Sequence, residues 1–297
     1  MYRHDQISMG VDLTTLNQQA VANAWHVAEL LKEMSSTEVA RRTRAGALVS
    51  DQRFGRGQHG DLGAFYAPFD WINTEADIII VGITPGMRQA ETALLTLRQR
   101  LITTALDDQS MARALNDAKK AASFEGPMRG IAAQLMDHFG FHHLFGLETT
   151  AELFGKAANR AHYTSVYRYP VLQAKAAQWR NYSGGEAPKS RANPLLARFV
   201  EEYLMPELMC FKSAWIVPFG PTPAAVLNDL GKKGIIDQDR ILSGLNHPSG
   251  EQWNRHNCQL DRVDHAHCAK NVGCAKVQDR SRVLRSQMAA LVGQQIG

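Results

Sequence analysis

The chain has 297 residues, 44% hydrophobic and 8% aromatic, enough to bury about three quarters of its unfolded surface in one large domain. A net charge of +4 and a pI near 8.9 permit a polyanionic partner but exclude a histone-like polycation. No apolar run suits a membrane helix, four cysteines are too few for a disulfide scaffold, and the opening MYRHDQISMG lacks the apolar stretch of a signal peptide. A cytoplasmic monomer without membrane contact is expected.

Residues 16–34 place Ala20, Trp25, Val27, Leu30 and Leu31 among the apolar positions of an amphipathic helix. Residues 41–63 combine Arg41, Arg42, Arg44, Arg53 and Arg56 with several glycines, which predicts a flexible basic loop, either solvated or lying along phosphates. The aromatic cluster FYAPFDW, 65–71, belongs in the core or a pocket wall. In DIIIVGITPG, 77–86, four apolar β-formers run into a Gly-x-x-Pro-Gly turn. Such a run without alternation fits a strand buried on both faces of a parallel sheet, whose ligands gather beyond the carboxyl ends. Backbone N–H groups of the turn from Gly82 to Gly86, which Pro85 stiffens, with the helix N-terminus that follows, offer an anion or leaving-group site; the alternative is an ordinary βα connection.

Residues 87–120 predict one long or two shorter helices, and 123–135 place an aromatic and two glycines ahead of a helix reaching His138. A second strand is predicted over 161–169, a mobile polar segment over 173–194 with SGGEAPKS at its centre, and a helix over 195–208. A third strand, 214–219, leads into a helix over 222–230. A fourth, 240–245, leads into Asn246, His247, Pro248, Ser249 and Gly250. Residues 288–292 sit in an apolar-patterned terminal helix. This alternation predicts an α/β fold, a three-layer α/β/α sandwich with a central parallel four-stranded sheet. Its expected parts are an N-terminal helical and basic-loop extension (1–64), an α/β core (65–256) with a helical insertion (87–120), and a Cys/His-containing tail and helix (257–297) packed on the same domain.

The strand ends and turns stand in the order GITPG, SFEGPMRG, YTSVYRYP, WIVPFGPTPAAVL and LNHPSG. This succession resembles the uracil-DNA glycosylase superfamily over residues 66–255, five motifs in the family's order. The resemblance implies that Phe124 stacks on an extruded base and that His247 faces the base carbonyl as the glycosidic bond breaks. Ser165 stands where many members carry an asparagine that reads the base edge, and a serine cannot make that bidentate amide pattern. Thr84 and Ile83 occupy the turn positions where members place a carboxylate or amide to position water. Thr84 could hold a water without supplying charge, and Asp70, Glu91 and Glu125 are the nearest substitutes. Ser249, Gln252, Trp253 and Arg255 fall in the loop that enters the duplex, with Trp253 or Gln252 as the wedge, and Arg53 and Arg56 extend the DNA-binding set.

The insertion suits an enlarged pocket roof, an added DNA surface or a passive elaboration. In the tail, Cys258, His265, Cys268 and Cys274 could bind zinc, although no C-x-x-C knuckle is present and no cofactor is otherwise expected. An iron–sulfur cluster is disfavoured, because Tyr169 stands where cluster-bearing branches have a cysteine. The resemblance therefore implies a monofunctional DNA glycosylase acting on double- or single-stranded DNA. It would excise a modified, non-uracil pyrimidine, such as hypermodified cytosine in phage DNA as an antiviral defence, and leave an abasic site. The alternatives are a uracil or deaminated-base repair glycosylase and a catalytically inactive DNA-binding protein.

Overall fold

Ile78, Ile79, Ile80 and Val81 are β-branched, stiff at χ1 and suited to a pleated strand. In the computed structural model they form strand β3, Ile78–Gly82, buried at every position. The structure describes residues 12–105, 107–184 and 192–296, with side chains to 293; the opening MYRHDQISMG and residues 185–190 of SGGEAPKS lie outside them. The remaining strands are β1 (Gly55–His59), β2 (Leu62–Phe65), β4 (Ala161–Ser165), β5 (Val171–Lys175), β6 (Gln178–Asn181) and β7 (Trp215–Pro218).

A parallel sheet runs in the order β4-β3-β7, with Ile80 opposite both Tyr163 and Val217. Alternation sends Ile79 and Val81 into a core shared with α1 (Leu13–Glu33), α3 (Met87–Thr103) and α4 (Asp108–Ala122), where α2 is Ser36–Arg44. Ile78 and Ile80 enter a second core against the helices Pro127–His138 and Cys274–Ile296. The fold is thus mixed α/β with a three-stranded parallel sheet. Residues 240–245 do not form the expected fourth strand, since Ile241 meets Ile216 in a single parallel bridge. The cause is Gly244, at φ 146°, where an added Cβ would stand 2.9 Å from Leu284 Cβ and 3.0 Å from Arg280 O. The chain keeps two bonds along β7 and just beyond it, Leu242 N–H to Ile216 O and Gly220 N–H to Leu245 O, both at 2.9 Å, but the turn of the backbone at Gly244 between them prevents a continuous strand.

A four-stranded antiparallel sheet, β1-β2-β5-β6, lies where a basic loop and a mobile segment were expected. β5 and β6 are joined by Ala176 and Ala177, both at positive φ, the backbone that a tight hairpin requires but that Asn-Gly normally signals. The sheet folds back onto the chain because Trp179 packs on Gly46 and Gly63, where a Cβ would come within 2.6 and 2.9 Å of its atoms. The arginines are largely engaged. Arg41 pairs with Glu38, Arg42 with Asp51 and Arg44 with Glu91. Arg56 lies over the Tyr66 and Tyr169 rings, 4.8 and 5.5 Å from their centroids, and donates to three backbone carbonyls. Arg53 remains exposed.

The insertion is a helical hairpin, α3 and α4, packed on α1. No helix among the described residues is long and apolar enough to cross a membrane. The predicted helix over 195–208 is interrupted, with a π turn at Val200–Leu204 between the helices Pro194–Phe199 and Met205–Met209. Pro206 lacks the N–H that would continue an α-helical ladder, and a wider turn absorbs the loss. It delivers Glu207, fully buried, to His162 Nε2 at 2.6 Å, Thr164 Oγ1 at 3.0 Å, Arg168 Nη2 at 2.9 Å and Lys119 Nζ at 3.6 Å. Burial opposes its charge, but Arg168 and Lys119 outweigh that and hold the carboxyl well below its usual range. Burial drives Lys119 the other way, down to about 8, and lowers His162.

Removing this carboxylate strands two cations in the core. Glu207→Ala is expected to lower stability by about 3–5 kcal/mol, read as a reduced urea midpoint with an unchanged denaturant slope.

Candidate active site

The carboxyl ends of β3 and β4 open into a cavity of about 400 Å³. Its floor is the turn after β3. Gly82 keeps the backbone close to both walls, since a Cβ there would stand 3.3 Å from Ser165 Oγ and 3.7 Å from the Phe124 ring. Two donors of the predicted anion turn are already taken, with Gly86 N–H bonding Gln89 Oε1 at 2.9 Å and Met87 N–H bonding Asn181 Oδ1 at 2.8 Å. A backbone N–H fixes the oxygen end of each amide, so Gln89 and Asn181, both lining the cavity, keep their NH2 groups as donors. Thr84 does not stand ready for water, because its hydroxyl donates to Tyr169 O and accepts from Val171 N–H, both at 2.9 Å. Ile83 is half-buried against the first core, and Pro85 lines the cavity beside it.

Phe124 follows α4 with φ +52°, a conformation that costs a bulky residue roughly 1–3 kcal/mol. Arg129 holds the strained exit by donating to Lys120 O, Ala121 O and Ser123 O at 2.6–3.1 Å. The ring, 6% exposed, rests on Phe154, Tyr163 and Phe219 and lines the cavity. Ser165 ends β4 in the cavity lining, close to Gly82, and Arg168, tied to Glu207, reaches the same space.

His247 enters from the turn after residues 240–245. Ser249 N–H donates to its Nδ1 at 3.3 Å, which places the proton of the neutral ring on Nε2. Burial, followed by the neighbouring His256, pushes His247 down to about 4. The helix Trp253–Gln259 holds this turn. His256 Nε2 donates to His247 O at 2.9 Å, and Gln259 Oε1 accepts from Asn246 N–H at 2.7 Å. Ser249 and Gln252 line the cavity, Arg255 is exposed, and Trp253 is 54% exposed beyond the rim.

The carboxylates suggested by sequence proximity do not line the cavity. Asp70 is buried behind it, bonded by Tyr169 OH at 2.7 Å and Asn23 Nδ2 at 2.9 Å, and burial raises its pKa. Glu91 is clasped by Arg44, and Glu125 faces Arg88. Among the described residues, Glu251 is the carboxylate that lines the cavity, and it is exposed at the mouth. It was overlooked because 251–255 read as a wedge alone, and Asn181 because its strand read as a polar segment.

A second cluster lies outside the cavity. One ligand atom from each of Cys258, His265, Cys268 and Cys274 falls within 4.8 Å of the others, a Cys3His set that could hold a metal ion.

The depressed His247 pKa has a definite sign. Between pH 6.5 and 4 the unfolded chain binds a proton that the folded chain refuses, so stability is full above pH 6.5 and lost as pH falls toward 4. Buried His162 acts in the same direction. The urea midpoint is expected to fall over this window, less steeply in His247→Gln, and nitrogen NMR at pH 7 should find His247 neutral with its proton on Nε2.

No family model matches the chain, and no solved structure matches it. It is similar to the uncharacterized protein YoxB of Bacillus subtilis (strain 168), with 32% identity over 213 residues, covering 69% of this chain and 80% of YoxB. At that identity and coverage, the chain belongs to the family of YoxB.

Proposed function

We propose that this chain is a monofunctional DNA glycosylase of the uracil-DNA glycosylase type, excising a modified pyrimidine rather than uracil. The observation that carries the reading is that Phe124, Ser165 and His247, from three distant stretches, line one cavity at the carboxyl ends of parallel strands. A flipped base stacks on Phe124, which contributes about 1–3 kcal/mol without demanding one base. As the bond from C1′ to the base nitrogen breaks, its electron pair moves into the base. The neutral His247 Nε2–H donates to the carbonyl where that charge collects, a fixed dipole needing no reorganisation.

Water adds to C1′ and loses its proton, and the departing base gains one, leaving an abasic site. Glu251 is the group best supported for receiving the water's proton, since the turn has no carboxylate. The NH2 groups of Asn181 and Gln89 suit a base bearing extra acceptor oxygens, which favours a hydroxylated or glycosylated cytosine over uracil. Phage DNA is a source of such bases and the cytoplasm the compartment. Zinc at Cys258, His265, Cys268 and Cys274 belongs to this reading as a structural ion, and no step of the chemistry passes through it.

One observation favours a catalytically inactive DNA-binding protein, namely the engaged Thr84 hydroxyl. The two readings separate on duplexes and single strands carrying uracil, 5-hydroxymethylcytosine or glucosylated 5-hydroxymethylcytosine, followed by alkali cleavage. Strand breaks at a modified cytosine but not at uracil are expected; binding with no breaks on any substrate would select the inactive protein. His247→Ala should slow excision about 10²–10³-fold with DNA affinity kept. Affinity should fall with added salt, and Arg53 and Arg255, rather than Arg56, should carry that dependence.

A further inference from the structure

Residues 260–273 have too little packing to hold their own shape. They run through two short turns, His265–His267 and Lys270–Val272, and of their side chains only Leu260 and Val272 are buried. Their local apolar cluster is Cys258, Val272 and Val277, with Cys268 and Cys274 against it. Ordering a backbone costs roughly 1–2 kcal/mol per residue, more than so small a cluster offsets.

We infer that a zinc ion bound by Cys258, His265, Cys268 and Cys274 is the strut that fixes this segment and, through it, the turn carrying His247. The inference rests on the zinc reading above but not on the glycosylase reading.

Three of the four ligand atoms stand near tetrahedral spacing, and the fourth, from Cys268, lies within 4.8 Å of them. Zinc bonds of about 2.3 Å to sulfur and 2.0–2.1 Å to nitrogen set ligand atoms roughly 3.5–3.8 Å apart. Here Cys258 Sγ lies 3.3 Å from Cys274 Sγ, and His265 Nδ1 lies 3.9 and 3.6 Å from those two sulfurs. Three thiolates and one imidazole form a closed, soft set that leaves no position for substrate. The outer partners are also in place. His265 turns its Nε2 to Asp261 Oδ1 at 3.0 Å, and Asp261 is itself held by Arg285 and His138. Gln278 Nε2 donates to Cys258 O at 2.9 Å. A carboxylate behind a ligating imidazole fixes its orientation and raises its basicity.

The link to the cavity is one helix. Trp253–Gln259 carries Cys258 to the cluster, while His256 and Gln259 on the same helix bond His247 O and Asn246 N–H. Between this helix and the cluster loop lies a cleft bordered by Gln252, Arg255 and Asn271, closed by an Arg255 bond to Asn271 O. The ion therefore sets the position of the cavity's His247 wall and of the exposed segment bearing Trp253.

The full chain, purified with reductant and without chelator, is assayed for metal, then compared by amide exchange and His247 NMR before and after chelation. One zinc per chain is expected, replaceable by cobalt with the visible bands of a tetrahedral thiolate site. Asp261→Asn, which keeps all four ligands, should weaken zinc binding roughly 10–100-fold, and His267→Ala should leave it unchanged. Chelation should speed exchange across residues 246–274 and shift the His247 resonance, with 78–82 and 215–218 unaffected. Absence of metal, or a Cys258–Cys274 disulfide in its place, overturns the zinc site. Bound zinc whose removal leaves residues 246–259 and His247 unchanged overturns the strut. None of these readouts depends on base excision.

Discussion

The buried carboxylate of Glu207 is the constraint on which the other parts depend. Its partners come from α4 through Lys119, from β4 through His162 and Thr164, and from the chain after β4 through Arg168. A buried charge is tolerated only when its hydrogen-bonding capacity is met, so these elements are obliged to meet at one point. The two-helix insertion is consequently wired to the parallel sheet. Arg168 emerges from this knot into the cavity, and the charge it shows there is balanced from behind by Glu207.

The cavity works mainly with oriented neutral donors. His247 is kept uncharged by burial and aimed by Ser249 N–H, while Asn181 and Gln89 are aimed by the backbone groups that hold their oxygens. Under the proposed glycosylase reading, donors fixed in this way would meet developing charge without first having to reorient, with an electrostatic benefit that grows as water is excluded. The strained φ of Phe124 fits the same pattern, since conformational cost is concentrated where the ring must lie and is held by Arg129.

Much of the parallel half was legible in the chain. An unbroken run of isoleucine and valine specifies a doubly buried strand, and glycine and proline mark the turn after it, so β3 and its turn followed from local chemistry, whereas Phe124 and His247 were singled out by the resemblance to the uracil-DNA glycosylase superfamily. The antiparallel half was not legible, because its hairpin turns on Ala176 and Ala177 and its last strand, QWRN, is half exposed with no alternating apolar face. Asn181 went unnoticed with it. The fourth parallel strand failed for a non-local reason, the packing of the terminal helix on Gly244. The four Cys and His residues of the tail could be named from residue type, but their convergence is a property of the fold.

The cavity draws its floor and its side wall from different sheets. Phe124, Ser165 and His247 are set by the parallel core, whereas Asn181, Tyr182 and Ser183 arrive on the edge of the antiparallel sheet. Both sheets share one apolar core, and at the cavity itself bonds of Thr84 to the chain at 169–171 and of Asn181 to Met87 join them. Substitution of Asn181 on β6 would change the antiparallel wall of the cavity without altering a residue of β3 or β4. Under the proposed glycosylase reading, recognition of the base could diversify on one sheet while the residues proposed to act on it stay on the other.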